Sequence, residues 1–109
     1  MSKYYYLDVS LDFAEPYETE ITGVYFKKNI VSAVNQLFGE VAAAVNIDIL
    51  KYNSANRRAV LRVPKTHYIK LRSSLTLCGK FEGHPCAYTV HKATPLLLAL
   101  QGDSRDYTY

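Results

Sequence analysis

Two cysteines and two histidines near the C-terminal end of the chain are of residue types that can hold a metal ion. They are Cys78, His84, Cys86 and His91. Structural zinc sites usually contain a closely spaced pair such as Cys-x-x-Cys, and the chain has none. Cys86 and His91 lie five positions apart on one predicted strand, so their side chains would face opposite sides of a sheet. We therefore expect no metal site and no cofactor.

Acid–base and phosphate-binding chemistry is also weakly represented. Asp8 and Asp12 share one face of a predicted strand, but no second group is placed to act as a general acid beside a general base. The glycine-containing segment 79–83 lacks the Lys-Ser/Thr ending of a phosphate-binding loop. The sequence therefore predicts that the chain has no catalytic residues and is not itself an enzyme.

Positive charge is concentrated in the second half of the chain. Residues 51–92 carry nine lysine or arginine side chains against Glu82 alone, whereas residues 1–50 carry three basic and seven acidic side chains. A block this basic favours a polyanionic partner, and its simplest contact would be to phosphates. The candidate RNA contacts are Arg57, Arg58, Arg62, Lys65 and Lys70. A solvated basic face without a partner is the alternative.

Hydrophobic periodicity predicts an alternation of strands and helices. A period of two indicates a strand at 4–13, and helical spacing indicates a helix at 22–38 with Thr22 as its N-cap and Gly39 at its end. Two short β-branched segments form a predicted hairpin at 47–52 and 58–63. A second helix at 67–77 and a strand at 86–92 follow, and Thr94-Pro95 begins a short terminal helix.

The order β-α-β-β-α-β predicts a ferredoxin-like two-layer α+β sandwich in a single domain, 1–109. Its sheet would have four antiparallel strands, with both main helices on one face. RNA recognition motifs have this architecture and stack bases on aromatic residues of the first and third strands. The predicted third strand has no aromatic residue, so Tyr4 and Tyr6 on the first strand are interpreted as partner-interface candidates.

The predicted terminal helix is almost entirely apolar. Its leucines would be exposed to water unless they cover the sheet or dock on a partner, and both possibilities stay open. They are the interface candidates Leu96, Leu97, Leu98 and Leu100. No apolar run approaches 18 residues and the N-terminus lacks a hydrophobic signal segment, so we expect a soluble intracellular protein without membrane contact.

Several segments, in this order, resemble one known family. They are Ile30-Val31-Ser32-Ala33-Val34-Asn35-Gln36-Leu37-Phe38-Gly39-Glu40-Val41, Asp48-Ile49-Leu50, Lys70-Leu71-Arg72-Ser73-Ser74-Leu75-Thr76-Leu77-Cys78-Gly79, Cys86-Ala87-Tyr88-Thr89-Val90 and Pro95-Leu96-Leu97-Leu98-Ala99-Leu100-Gln101-Gly102. Together they resemble the small protein subunits of ribonuclease P, more closely the eukaryotic fourteen-kilodalton type than the sister subunit shared with RNase MRP. The resemblance covers about 4–105, and it rests on core and capping residues.

The resemblance implies a non-catalytic subunit of a ribonucleoprotein whose RNA removes the 5′ leader of precursor tRNA. The implied partners are the ribonuclease P RNA, the TIM-barrel-like thirty-kilodalton subunit and the sister subunit, in the nucleus or nucleolus. Arg72 departs from the apolar pattern of its helix and is a further interface candidate. A stand-alone RNA-binding module and a small ferredoxin-like enzyme or ligand-binding protein are the alternatives.

Overall fold

The computed structural model describes residues 3–95, and its elements follow the predicted order. The first strand is β1 (Tyr4–Phe13), and the first helix is α1 (Gly23–Phe38). A short helix α2 (Glu40–Ala43) precedes the strands β2 (Asp48–Asn53) and β3 (Arg58–Pro64). A 3₁₀ turn (Lys65–His67) leads into α3 (Tyr68–Leu77), which is followed by β4 (Lys80–Phe81) and β5 (His84–Thr94).

The strands form one antiparallel sheet of five strands in the order β2-β3-β1-β5-β4. The prediction of four strands was therefore wrong in number. The additional strand β4 has only two residues, too few for a period-two pattern to be recognised in the sequence. The four longer strands have the split β-α-β arrangement that the element order predicted.

Both main helices pack on the same face of the sheet. Phe26 and Ile30 of α1 and Leu71 and Leu75 of α3 belong to one buried cluster together with Leu7 of β1. The helices run antiparallel, since Asn29 of α1 approaches the end of α3 while Phe38, at the end of α1, contacts Lys70. The alternating apolar residues of β1 form the floor of this core, as the period of two predicted.

The ends of α1 also follow the sequence. The side chain of Thr22 accepts a hydrogen bond from the backbone amide of Tyr25 at 3.5 Å, and Gly39 ends the helix at φ 87°. A positive φ is readily adopted only by glycine, which explains this position. Not every apolar residue at helical spacing in this region is buried: Leu37 and Phe38 at the end of α1 and Val41 in α2 are exposed.

The predicted terminal helix, with the interface candidates Leu96, Leu97, Leu98 and Leu100, lies outside the described residues. Within residues 3–95 none of the helices is sufficiently long and apolar to span a bilayer.

Candidate functional site

The face of the sheet opposite the helices carries a buried ion pair. Period two places Tyr4, Tyr6, Asp8 and Ser10 of β1 on this face. Asp8 is only 2% exposed, and Arg58 of β3 donates to both of its carboxylate oxygens, from Nε at 2.9 Å and from Nη2 at 2.7 Å. A bidentate pair of this kind fixes the geometry of the guanidinium group. Arg58 is therefore positioned by the fold, next to the middle of the sheet.

A second, more exposed pair lies at the β2–β3 end of the same face. Arg62 donates from Nε at 3.1 Å and from Nη2 at 2.8 Å to one oxygen of Asp48. This hydrogen bond raises the pKa of Arg62 above its ordinary value. The guanidinium carbon of Arg62 also lies 4.9 Å from the centre of the Tyr4 ring. Arg62 therefore joins a carboxylate and an aromatic ring that the sequence separates widely.

A small apolar cluster interrupts the polar character of this face. Val60 of β3 is buried, and the half-buried side chains of Tyr6 and Leu50 pack against it. Beside it, the hydroxyl of Ser10 and Nε2 of His91 lie 2.7 Å apart in a hydrogen bond. The face therefore consists of paired charges around a small apolar centre, which differs from the aromatic platform of an RNA-reading sheet.

Arg57 lies apart from this face, in the loop that joins β2 to β3. Its guanidinium donates to the carbonyl oxygen of Tyr17 and lies 4.9 Å from the Phe13 ring centre and 5.6 Å from that of Tyr17. Its backbone has a positive φ of 51°, unusual for a residue with a side chain. The side chain thus holds the 14–20 loop against the sheet.

The remaining candidate cations lie on the helix layer and at its entrance. Lys65 is exposed in the 3₁₀ turn, and Lys70 is exposed on α3, with its ammonium 6.0 Å from the Phe38 ring centre. Arg72 is exposed on α3 and donates to the hydroxyl of Tyr68. The five predicted RNA-contact residues therefore do not form one surface: the structure brings only Arg58 and Arg62 together.

A groove of about 680 Å³ separates α1 from the end of α3, and the sequence reasoning missed it. Its rim includes the exposed side chains of Tyr25 and Leu77, and Asn29 lies along its wall. The amide nitrogen of Asn29 donates to the hydroxyl of Tyr88 at 2.7 Å. Burial raises the pKa of Tyr88 well above its ordinary value. In the sequence, the only indication of this groove is that Tyr25 and Leu77 lie near the ends of two predicted helices.

The two cysteines are free thiols and flank the turn into the last strands. Burial raises the pKa of Cys86 to about 11, and the nearby Cys78 adds to the shift. Cys86 faces the helices while His91 reaches Ser10 on the opposite face, as predicted. Among residues 3–95 there is no group of three or more histidine, cysteine or acidic residues that could hold a metal ion.

These features define a small α+β sandwich with a charge-paired sheet face and no recognisable reaction centre among its described residues. The Rpp14/Pop5 family model matches residues 5–95. Ribonuclease P protein subunit p14 of Homo sapiens is 43% identical over 105 residues, which are 96% of this chain and 84% of that protein. The p14 subunit of Mus musculus is 42% identical over 105 residues, 85% of its length. The chain therefore belongs to the Rpp14/Pop5 family, which confirms the resemblance noted from the sequence.

A solved structure has the same fold. One chain of the cryo-EM structure of yeast ribonuclease MRP superposes with a TM-score of 0.71 at 14% identity, covering 96% of this chain and 91% of that one. At this low identity, the similarity concerns the arrangement of helices and strands.

Proposed function

We propose that this protein is a non-catalytic subunit of ribonuclease P that supports removal of the 5′ leader from precursor tRNA by helping to hold the RNA and other protein subunits together. The observation that carries the proposal is the 43% identity, over 96% of the chain, to a protein named as a ribonuclease P subunit.

The geometry of the sheet face supports a non-catalytic role. Both carboxylate oxygens of Asp8 accept hydrogen bonds from Arg58, and one oxygen of Asp48 accepts from Arg62. A general base or a metal-binding carboxylate needs an oxygen directed at a substrate or an ion. Here arginine donates to both oxygens of Asp8 and to one oxygen of Asp48, and each pair joins two neighbouring strands.

The proposed partners are the ribonuclease P RNA, the TIM-barrel-like thirty-kilodalton subunit and the sister subunit of the same family, in the nucleus or nucleolus. Exposed apolar side chains on the helix layer, such as Ile69 and Leu77, suit a protein partner, since interface centres are enriched in apolar residues. The exposed lysines Lys65 and Lys70 suit an RNA backbone. Protein and RNA would thus approach the same α3 side of the molecule.

Affinity purification of the tagged chain from its own cells tests the proposal. The eluate is assayed for ribonuclease P RNA and for cleavage of a precursor tRNA, with an untagged strain as the control. We expect recovery of both the RNA and 5′-leader removal. An eluate with other RNAs but without cleavage would instead favour the stand-alone RNA-binding module. An eluate without RNA would contradict both functions.

A further inference from the structure

The outer edge of β5 is longer than the strand that covers it. On one side β5 pairs with β1 from Cys86 to Thr94. On the other side β4 pairs only with His84 and Pro85. Among residues 3–95 no further strand lies beside Ala87–Val90 on this outer side. An edge of this kind presents backbone donors and acceptors to an incoming strand.

Two backbone hydrogen bonds establish which residues direct their polar groups outward. The carbonyl of Pro85 accepts from the amide of Ala14 at 3.1 Å, so Pro85 points towards β1. The amide of Cys86 donates to the carbonyl of Gly79 at 2.9 Å, so Cys86 points outward. Backbone groups of successive residues alternate along an antiparallel strand. Tyr88 and Val90 therefore direct both their amide and their carbonyl groups to the outer edge.

Residues 86–90 of this edge lack the features that usually prevent the addition of another strand, namely bulges, prolines and charged side chains. The opposite edge strand, β2, has an irregular register between Ile49 and Lys51, and such bulges hinder strand addition. In β5 the register shift comes only after Val90, opposite Asp8 and Val9. Residues 86–90 contain neither a proline nor a charged side chain. They form a short, regular template.

The charge of the surrounding elements specifies the chemistry of the partner. The helix α3 and the strand β4, which both contact β5, carry Lys70, Arg72 and Lys80 and no acidic side chain, and Glu82 lies in the turn that joins β4 to β5. All three of these basic side chains are exposed. An added strand with acidic side chains would be attracted to this region, and one with basic side chains would be repelled.

We propose that the outer edge of β5 binds an extended, acidic protein segment, which adds to the sheet as a further strand through the backbone groups of Tyr88 and Val90. This mode of recognition takes its affinity from main-chain hydrogen bonds and its selectivity from the flanking side chains. The inference goes beyond the proposed function, because it specifies a binding mode that does not depend on ribonuclease P.

Hydrogen exchange of the full chain tests the proposal residue by residue. The probe is a short capped peptide that alternates threonine or valine with glutamate, and the comparison peptide has lysine in place of glutamate. In the protein alone, the amides of Ala87 and Thr89, which face β1, should exchange slowly and those of Tyr88 and Val90 rapidly. Saturation with the acidic peptide should slow exchange at Tyr88 and Val90, and the basic peptide should do so only weakly.

Val90→Pro removes one outward amide without removing a hydrogen bond to β1, and Val90→Thr is the matched variant that keeps the amide. Loss of one backbone hydrogen bond should weaken acidic-peptide binding about three- to tenfold in Val90→Pro alone. If Val90→Pro does not fold, exchange in the unsubstituted chain still decides. Unchanged exchange at saturating peptide would overturn the proposal. So would slow exchange of Tyr88 and Val90 before any addition, or their protection by a single-stranded RNA oligonucleotide instead of the peptide.

Discussion

Arg58 shows how one residue type can indicate two different roles. From the sequence it is one of several cations in a basic block, and phosphate contact is the natural interpretation. In the fold its guanidinium lies against the carboxylate of Asp8, which has almost no access to water. Removing one member of a buried pair leaves the other charge without compensation. The role of Arg58 is therefore structural: it compensates the buried charge of Asp8.

Arg58→Ala should lower the free energy of unfolding by about 3 kcal/mol, because Asp8 would be left buried without its bidentate partner. Urea denaturation followed by circular dichroism measures the change. Arg62→Ala is the matched control, since it removes an arginine from the same strand face but breaks a much more exposed pair, and its loss should be far smaller. Equal losses in the two variants would contradict the structural role of Arg58.

At the scale of elements, the β4–β5 hairpin shows where local sequence and local conformation disagree. Phe81 pairs with His84, so Glu82 and Gly83 alone make the turn, and their φ angles are 48° and 84°. Positive φ at both positions is typical of a type I′ turn, which favours asparagine followed by glycine. The second position has its preferred glycine, but the first carries a glutamate that adopts this conformation reluctantly.

Glu82→Asn should therefore stabilise the protein by about 0.5 kcal/mol, because asparagine tolerates the left-handed conformation better than glutamate does. Thermal denaturation measures the shift in Tm. Glu82→Gln removes the same charge without improving the backbone preference, and it should leave Tm nearly unchanged. If both variants were stabilised alike, charge rather than turn geometry would be the cause.

At the scale of the whole molecule, the basic residues of the second half of the chain fall into two groups, one paired within the fold and one exposed to solvent. Arg57, Arg58 and Arg62 hold strands and loops together through carboxylate, carbonyl and ring contacts. Lys65 and Lys70 are exposed, and neither is in an ion pair within residues 3–95 that would compete with a phosphate. The net charge of +3 therefore understates the positive charge that is available on the α3 side for the proposed contact with RNA.

Lys65→Ala combined with Lys70→Ala should weaken binding to the transcribed ribonuclease P RNA and make it less dependent on salt. Each lost phosphate contact lowers the slope of log K against log salt by about 0.7 for a single strand. Fluorescence anisotropy over a range of salt concentrations measures this slope. Lys27→Ala with Lys28→Ala removes the same charge from α1 and should have less effect. Identical slopes for the protein and the Lys65/Lys70 variant would exclude these two lysines from the RNA-binding surface.

The sequence determined the succession of elements because their signals are local. Alternation along Tyr4–Phe13, the Thr22 cap and Gly39 each depend on residues within a turn or two of one another. The family resemblance could also be recognised from the sequence, because core and capping residues carry it. The match to the Rpp14/Pop5 family model confirms it. The two-residue strand β4 was missed, since a strand of that length is stabilised by its neighbour and has no periodicity of its own.

Only the tertiary structure decided which side chains are available for function. Asp8 and Arg58 are fifty positions apart, and strand pairing, which no local pattern encodes, brings them together. The same holds for the outward amides of Tyr88 and Val90, whose direction follows from the hydrogen bonds that the start of β5 makes to Ala14 on one side and Gly79 on the other. Charge and hydropathy can be read along the chain, but ion pairing, burial and free strand edges arise only when distant segments meet.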